Sequence, residues 1–192
     1  MMTVALISPP ALEPVSLDEA KAHLRLTGTE DDDYVAALIV AARLHVETST
    51  RRVLIDQTWR IYRDDWPRDG LVELPVGPVR SVAEIVVYDA DGEPTTLSST
   101  AWALDAASQP ARLKLLGTGP TPGRPLNGIE IDVVAGYGAS GLAVPQPLRL
   151  AIMMLVARWF ENREGASFGV VPSTLADAFE AAIAPYRVLR LA

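Results

Sequence analysis

The residues best placed for chemistry form a glycine-rich turn, Gly136-Tyr137-Gly138-Ala139-Ser140-Gly141, directly after a stretch that reads as a strand ending near Ala135. A G-x-G-x-x-G turn between a strand and a helix can hold a pyrophosphate, and with it a nucleotide, on backbone N–H groups. Three features oppose that use. The third glycine should open the helix, yet Gly141 is followed by Leu142-Ala143-Val144-Pro145-Gln146-Pro147. The acid that would hold a ribose about twenty residues on falls near Glu161, inside a predicted helix. No alternating βαβ pattern surrounds the turn. Ser140 lacks the glycine two positions on that a nucleophile elbow needs, because position 142 is Leu142. His23 and His45 have no second histidine four residues away and no carboxylates at zinc-site spacing. The run Glu30-Asp31-Asp32-Asp33 puts Ala36 and Ala42 where an EF-hand loop from Asp31 requires Gly and Glu, so it reads as a helix-start cluster rather than a calcium loop. No catalytic, cofactor-binding or metal-binding residue is assigned. A nucleotide-binding enzyme using Gly136, Gly138 and Gly141 is the alternative reading.

The elements around these residues follow from period and punctuation. Ser16-Leu17-Asp18-Glu19 has the capping-box pattern and predicts a short helix to about Leu26, closed by Thr27-Gly28-Thr29. From Tyr34 to about Thr50, Tyr34, Val35, Leu38, Ile39, Ala42 and Val46 form one helical stripe, with Arg43 and Glu47 outside it. The period then changes to two, with Trp59, Ile61 and Arg63 alternating with Thr58, Arg60 and Tyr62. A second strand over 79–88 turns at Asp89-Ala90-Asp91-Gly92 into a returning strand over 93–97. Short strands are expected over 101–104 and 112–115. The stretch 117–128 is a loop rich in Pro and Gly, and Ile129, Ile131 and Val133 mark a half-buried strand. Pro145 and Pro147 reopen helix, and Leu150 to Ala157 is apolar on every face, which predicts burial all round, some of it by another subunit. A last helix starts at Pro172-Ser173-Thr174 and is kinked or ended by Pro185.

The fold class expected is α+β, with helical stretches over 1–54 and 139–192 and an inserted antiparallel β-domain over 55–138. The chain has 192 residues, 49% of them apolar, enough to fill a core. It has no cysteine, so thiolate metal sites, disulfides and cysteine nucleophiles are excluded. A formal net charge of -7 argues against a basic face that tracks nucleic-acid phosphates, and so against a DNA-binding packaging factor. The apolar run Leu150 to Ala157 is eight residues long where a membrane span needs about twenty. Val4 to Ile7 is too short for a secretory signal. A soluble, intracellularly made protein is expected.

Gly136-Tyr137-Gly138, Val144-Pro145, Leu148, Ala151-Ile152 and the run from Trp159 to Glu164 follow one another in order. With the opening stretch Ser16 to Arg25 and the helix start Asp31-Asp32-Asp33-Tyr34, they resemble the head-tail connector, or adaptor, family of tailed bacteriophages and of phage-derived gene transfer agents. The resemblance spans nearly the whole chain and is least specific in the β insert. It implies a small four-helix connector-type bundle, without enzyme activity and without cofactors. Such subunits assemble as a ring, usually of twelve, in the neck of the virion or particle after synthesis in the bacterial cytoplasm. The ring joins portal to stopper and tail, and DNA passes through its channel without specific binding. The resemblance places a portal-binding C-terminal arm at Tyr186, Arg187, Leu189, Arg190 and Leu191. Subunit-interface candidates are Ile152, Met153, Met154, Trp159, Arg163 and Glu164, the Arg163 and Glu164 pair either closing its helix or bridging to a neighbour. The loop 117–128 and the hairpin tip 89–92 are further contact candidates.

Overall fold

Ser16 has an extended backbone and its hydroxyl accepts the N–H of Glu19 at 3.2 Å, while the Glu19 carboxylate accepts the Ser16 N–H at 2.9 Å. This reciprocal cap starts helix α1, Leu17–Leu24. The computed structural model describes residues 2–163 and 173–188. Their order is β1 (Met2–Ser8), α1, α2 (Asp32–Thr50), β2 (Gln57–Arg63), β3 (Leu71–Leu74) and β4 (Val79–Tyr88). There follow β5 (Pro94–Thr96), β6 (Trp102–Asp105), β7 (Ala111–Leu115), β8 (Ile129–Ala135), α3 (Gln146–Glu161) and α4 (Ser173–Ile183). The described residues are thus mixed α/β, with four helices and antiparallel sheets. It divides into two compact units, one of residues 1–11 and 56–136, the other of residues 12–55 and 137–192.

The first unit holds two antiparallel sheets, in strand orders β1-β2-β8-β4-β5 and β3-β7-β6. β8 lies at the centre of the larger sheet. Its period of two puts Ile129, Ile131, Val133 and Ala135 fully inside and leaves Glu130 and Asp132 on the other face. Ile131 stands opposite Ile61 of β2 and Ile85 of β4, and the smaller sheet adds Val72, Leu74 and Leu113 to the same core. On the outward face Arg60 sits opposite Asp132 and forms a bidentate pair with it at 2.7 and 2.8 Å, and it reaches Glu130 at 2.7 Å. Cross-strand pairs of this kind fix register, because a one-residue slip would turn Arg60 into the core.

The second unit packs α1, α2, α3 and α4 around Val35, Ile39, Ala42, Val46, Leu148, Ala151, Ile152, Leu155 and Ile183. α1 ends at Arg25, in the left-handed region at φ 57°, with the Leu26 N–H returning to the Lys21 carbonyl. The helix therefore closes two residues before the Thr27-Gly28-Thr29 signal. Pro185 falls in a short 3-10 turn, Ala184–Tyr186, just past the end of α4.

The structure departs from the sequence-based expectations in four places. Residues 2–8, expected within the helical stretch over 1–54, form strand β1 on the edge of the larger sheet. β3 was not anticipated, being four residues long. α3 is not buried all round: Leu150 is 44% exposed, and Met153 and Met154 are half-buried. Arg43, expected to lie outside the core stripe of α2, is 6% exposed, and Arg149 of α3 is 7% exposed.

Ile131 is wholly buried at the crossing of three strands, so Ile131→Ala leaves a cavity that rigid sheet neighbours cannot fill. A loss of about 2–5 kcal/mol is expected, read as a fall in the urea midpoint without a change of slope.

Candidate interface surfaces

A guanidinium withdrawn from water must find acceptors inside, and both buried arginines find them on the segment that leads into α1. Arg43 Nε donates to Glu13 at 2.7 Å and its Nη1 to Glu47 at 2.8 Å. The other Glu47 oxygen accepts the Leu54 N–H at 2.9 Å. Arg149 Nε donates to the Pro14 carbonyl at 3.0 Å, its Nη1 to Gln146 at 3.2 Å, and its Nη2 to Glu19. The Ser16 backbone N–H, and after it Arg149, hold the Glu19 carboxyl below the ordinary Glu range. Beside this segment lies an open, mainly apolar groove of about 690 Å³, lined among others by Leu12, Leu17, Ile39, Val40 and Leu142.

The glycine-rich turn serves packing. β8 before it runs antiparallel to both its neighbours, and α3 begins only at Gln146, after a 3-10 turn at Gly141–Ala143. The N–H groups of Gly136, Tyr137 and Val144 are spent on the carbonyls of Pro78, Leu54 and Gly141. A Cβ on Gly141 would stand 2.7 Å from the Pro14 carbonyl oxygen, so glycine is needed for close approach to the same entry segment. Nothing in this geometry favours nucleotide binding.

The nominated interface residues separate into distinct environments. Ile152 is wholly buried in its own core and has no surface to offer a neighbour, which corrects its nomination. Met153 and Trp159 pack against the same core, and Trp159 meets His45 edge-on at 6.1 Å. Met154 is half-buried. Arg163 pairs with Asp31 at 2.9 Å and lies over the rings of Phe160 and Tyr34, at 4.3 and 4.8 Å, tying the end of α3 to the start of α2. Of the C-terminal arm, Tyr186 packs on the helical core and its carbonyl accepts from Arg52 Nε. Arg187 pairs with Glu180 at 2.7 Å, and the Val188 N–H reaches the Thr50 carbonyl at 3.1 Å. Glu164, Leu189, Arg190 and Leu191 lie outside the described residues.

The two nominated loops of the β unit are brought together. The Gly123 N–H donates to the Tyr88 carbonyl at 2.8 Å, and the Arg124 guanidinium covers the Tyr88 ring at 4.1 Å. Trp66 Nε1 donates to the Pro120 carbonyl at 3.0 Å, and Asp64 accepts the Asn127 N–H at 3.0 Å. The loop 117–128 is therefore folded back on the hairpin tip, with Leu126 69% exposed at its surface.

Comparison with known proteins agrees with this architecture. The family of phage gp6-like head-tail connector proteins matches over residues 14–94. A chain in the neck of an empty gene transfer agent particle, computed with C6 symmetry, superimposes with a TM-score of 0.83 at 28% identity, covering 99% of this chain and 97% of that one. A chain in the virion of a native gene transfer agent particle gives 0.79 at 27% identity, with the same coverages. One in the neck of a native particle, computed with C12 symmetry, gives 0.77 at 27% identity and covers 100% of this chain and 97% of that one. These findings support a head-tail connector protein of the phage and gene transfer agent kind. No curated protein sequence matches.

A further exposed surface is one that sequence patterning passes over. The outward side of α2 carries Ala37, Val40, Ala41 and Leu44, all exposed. Its signal is present in the sequence as a run from Tyr34 to Val46 in which Arg43 is the one fully charged residue. With Arg43 taken as solvent-facing, the run looks like an ordinary amphipathic helix.

Two substitutions probe these contacts. Because the Glu19 carboxyl titrates below its ordinary value of 4.5, its stabilisation is present above that value and is lost as pH falls through the lower folded one. Glu19→Gln is expected to unfold at lower urea than the parent near neutrality, and the gap should close as pH drops from 4.5. In Gly123→Ala, the added Cβ would sit 2.0 Å from the Ala90 nitrogen. The loop must shift, at a cost of about 1–3 kcal/mol, measurable by thermal melting and by faster proteolysis within 117–128.

Proposed function

We propose that the chain is a structural adaptor of a particle neck, without catalytic activity. In this reading it forms a ring, of twelve copies by the family pattern, between the portal and the stopper or tail, around the channel through which DNA leaves. The observation that carries the reading is the likeness to neck chains along almost the full length of both partners. The helical unit is then the connector-type bundle, and the β unit is made of the stretch between α2 and α3 together with β1. A net charge of -7 per copy suits such a ring, since an acidic lumen repels phosphates and lets DNA pass without adhering.

The portal-binding arm is assigned to Leu189, Arg190 and Leu191, with Tyr186 and Arg187 as its root. The root is anchored to the chain's own helices. Met153, Met154, Trp159, Arg163 and Glu164 belong to the side of the subunit that meets its neighbours. The loop surface around Arg124 and Leu126 is assigned to tail-side or neighbour contacts.

Purified protein, alone and mixed with its portal protein, is expected to give rings by negative stain and a ring mass by light scattering. Monomer under both conditions overturns the reading. The triple variant Leu189→Ser, Arg190→Glu, Leu191→Ser should keep its melting temperature and lose portal binding at least tenfold, about 1.4 kcal/mol or more. Unchanged binding removes the arm from the portal contact.

A further inference from the structure

We infer that the ring contact is made head to tail, by the outward side of α2 in one copy against the outward side of α3 in the next. This rests on the ring reading above and names the surfaces that close it. On α2, Ala37, Val40, Ala41 and Leu44 are exposed, Val40 at 38% and Leu44 at 51%. On α3, Pro147 and Leu150 are exposed and Met154 and Ala157 are half-buried, with Leu150 at 44%.

Both stripes lack charge for the same reason. Between Asp33 and Glu47 the one Lys, Arg, Asp or Glu is Arg43, and between Gln146 and Arg158 it is Arg149. Each of these arginines is drawn inward, to Glu13 and Glu47 in one case and to Pro14, Gln146 and Glu19 in the other. In a chain with 21% charged residues, two bare helix sides produced by two buried arginines are not the surface of a subunit that stays alone.

Their placement selects the occupant. α2 and α3 pack on one another through the shared core, and each exposed stripe lies across its own helix from the residues buried there. The two stripes are therefore separate patches, each turned away from the shared core. A single self-complementary patch gives a two-fold dimer, whereas two different patches that meet give a head-to-tail contact that closes into a ring when the rotation allows. Both are apolar, so each suits the other and neither suits a charged partner. Similar chains sit in necks computed with cyclic symmetry. The occupant of the α2 stripe is accordingly a second copy of this chain.

The test uses the absence of cysteine. Ala41→Cys and Leu150→Cys are placed singly and together in the full chain, treated with a short bis-maleimide with and without portal protein, and read on denaturing gels beside native mass. The double variant should give a ladder beyond dimer, and each single variant none. Dimer from Ala41→Cys alone overturns the proposal in favour of a two-fold contact. A ring mass without a ladder overturns these surfaces while the ring stands, and cross-links to portal alone overturn the second copy as occupant. Monomer without a ladder, portal present or not, overturns contact and ring together. As a second measure, Ala41→Glu should leave the urea midpoint in place and reduce the assembled fraction at least tenfold; unchanged assembly overturns the proposal.

Discussion

The helical unit depends on the burial of Arg43 and Arg149. A guanidinium cannot be left without acceptors in a core, and the unit supplies them from the stretch 13–19 rather than from the faces of the helices alone. That choice fixes where the chain enters α1 and links α1 to both α2 and α3. It also requires glycine at 141, where the turn before α3 passes against Pro14. The capping box of α1 belongs to the same arrangement, because Glu19 serves Ser16 and Arg149 together.

The β unit is organised differently. Its order comes from β8, whose strict alternation divides a dry face from a charged one, and the Arg60, Asp132 and Glu130 cluster locks the register on the wet side. The loops at its margin gain their shape from one close backbone approach at Gly123 and from Arg124 lying on Tyr88. Rigid strands thus carry a surface whose detail is set by a few small or stacked residues.

Local rules made much of this legible. The Ser16 and Glu19 cap, the alternation of 129–135, the hairpin at 89–92 and the helix reopened by Pro145 and Pro147 all declare themselves in a few adjacent residues. What escaped has its cause elsewhere in the chain. β1 exposes most of its side chains and gains its place only by pairing with β2, some 55 residues on, so its pattern carries no core signal. The burial of Arg43 and Arg149 depends on partners on other elements, Glu13, Pro14 and Glu19 among them, and sequence spacing cannot declare it. For the same reason the bare side of α2 is disguised by Arg43, which reads as solvent-facing, while the apolar run of α3 reads as wholly buried.

Strand β1 has one more consequence, for the order in which the chain comes off the ribosome. Its partner β2 follows only after α1 and α2, and β2 in turn waits for β8, more than sixty residues later. The helical unit is equally delayed, since α2 must wait for α3. Each unit is built from two stretches separated by a portion of the other, so the first is whole only once residue 136 has been made and the second only after it. Neither unit can finish while the polypeptide is still short, and the newborn chain must carry the uncharged β1 without its partner until β2 has followed α1 and α2.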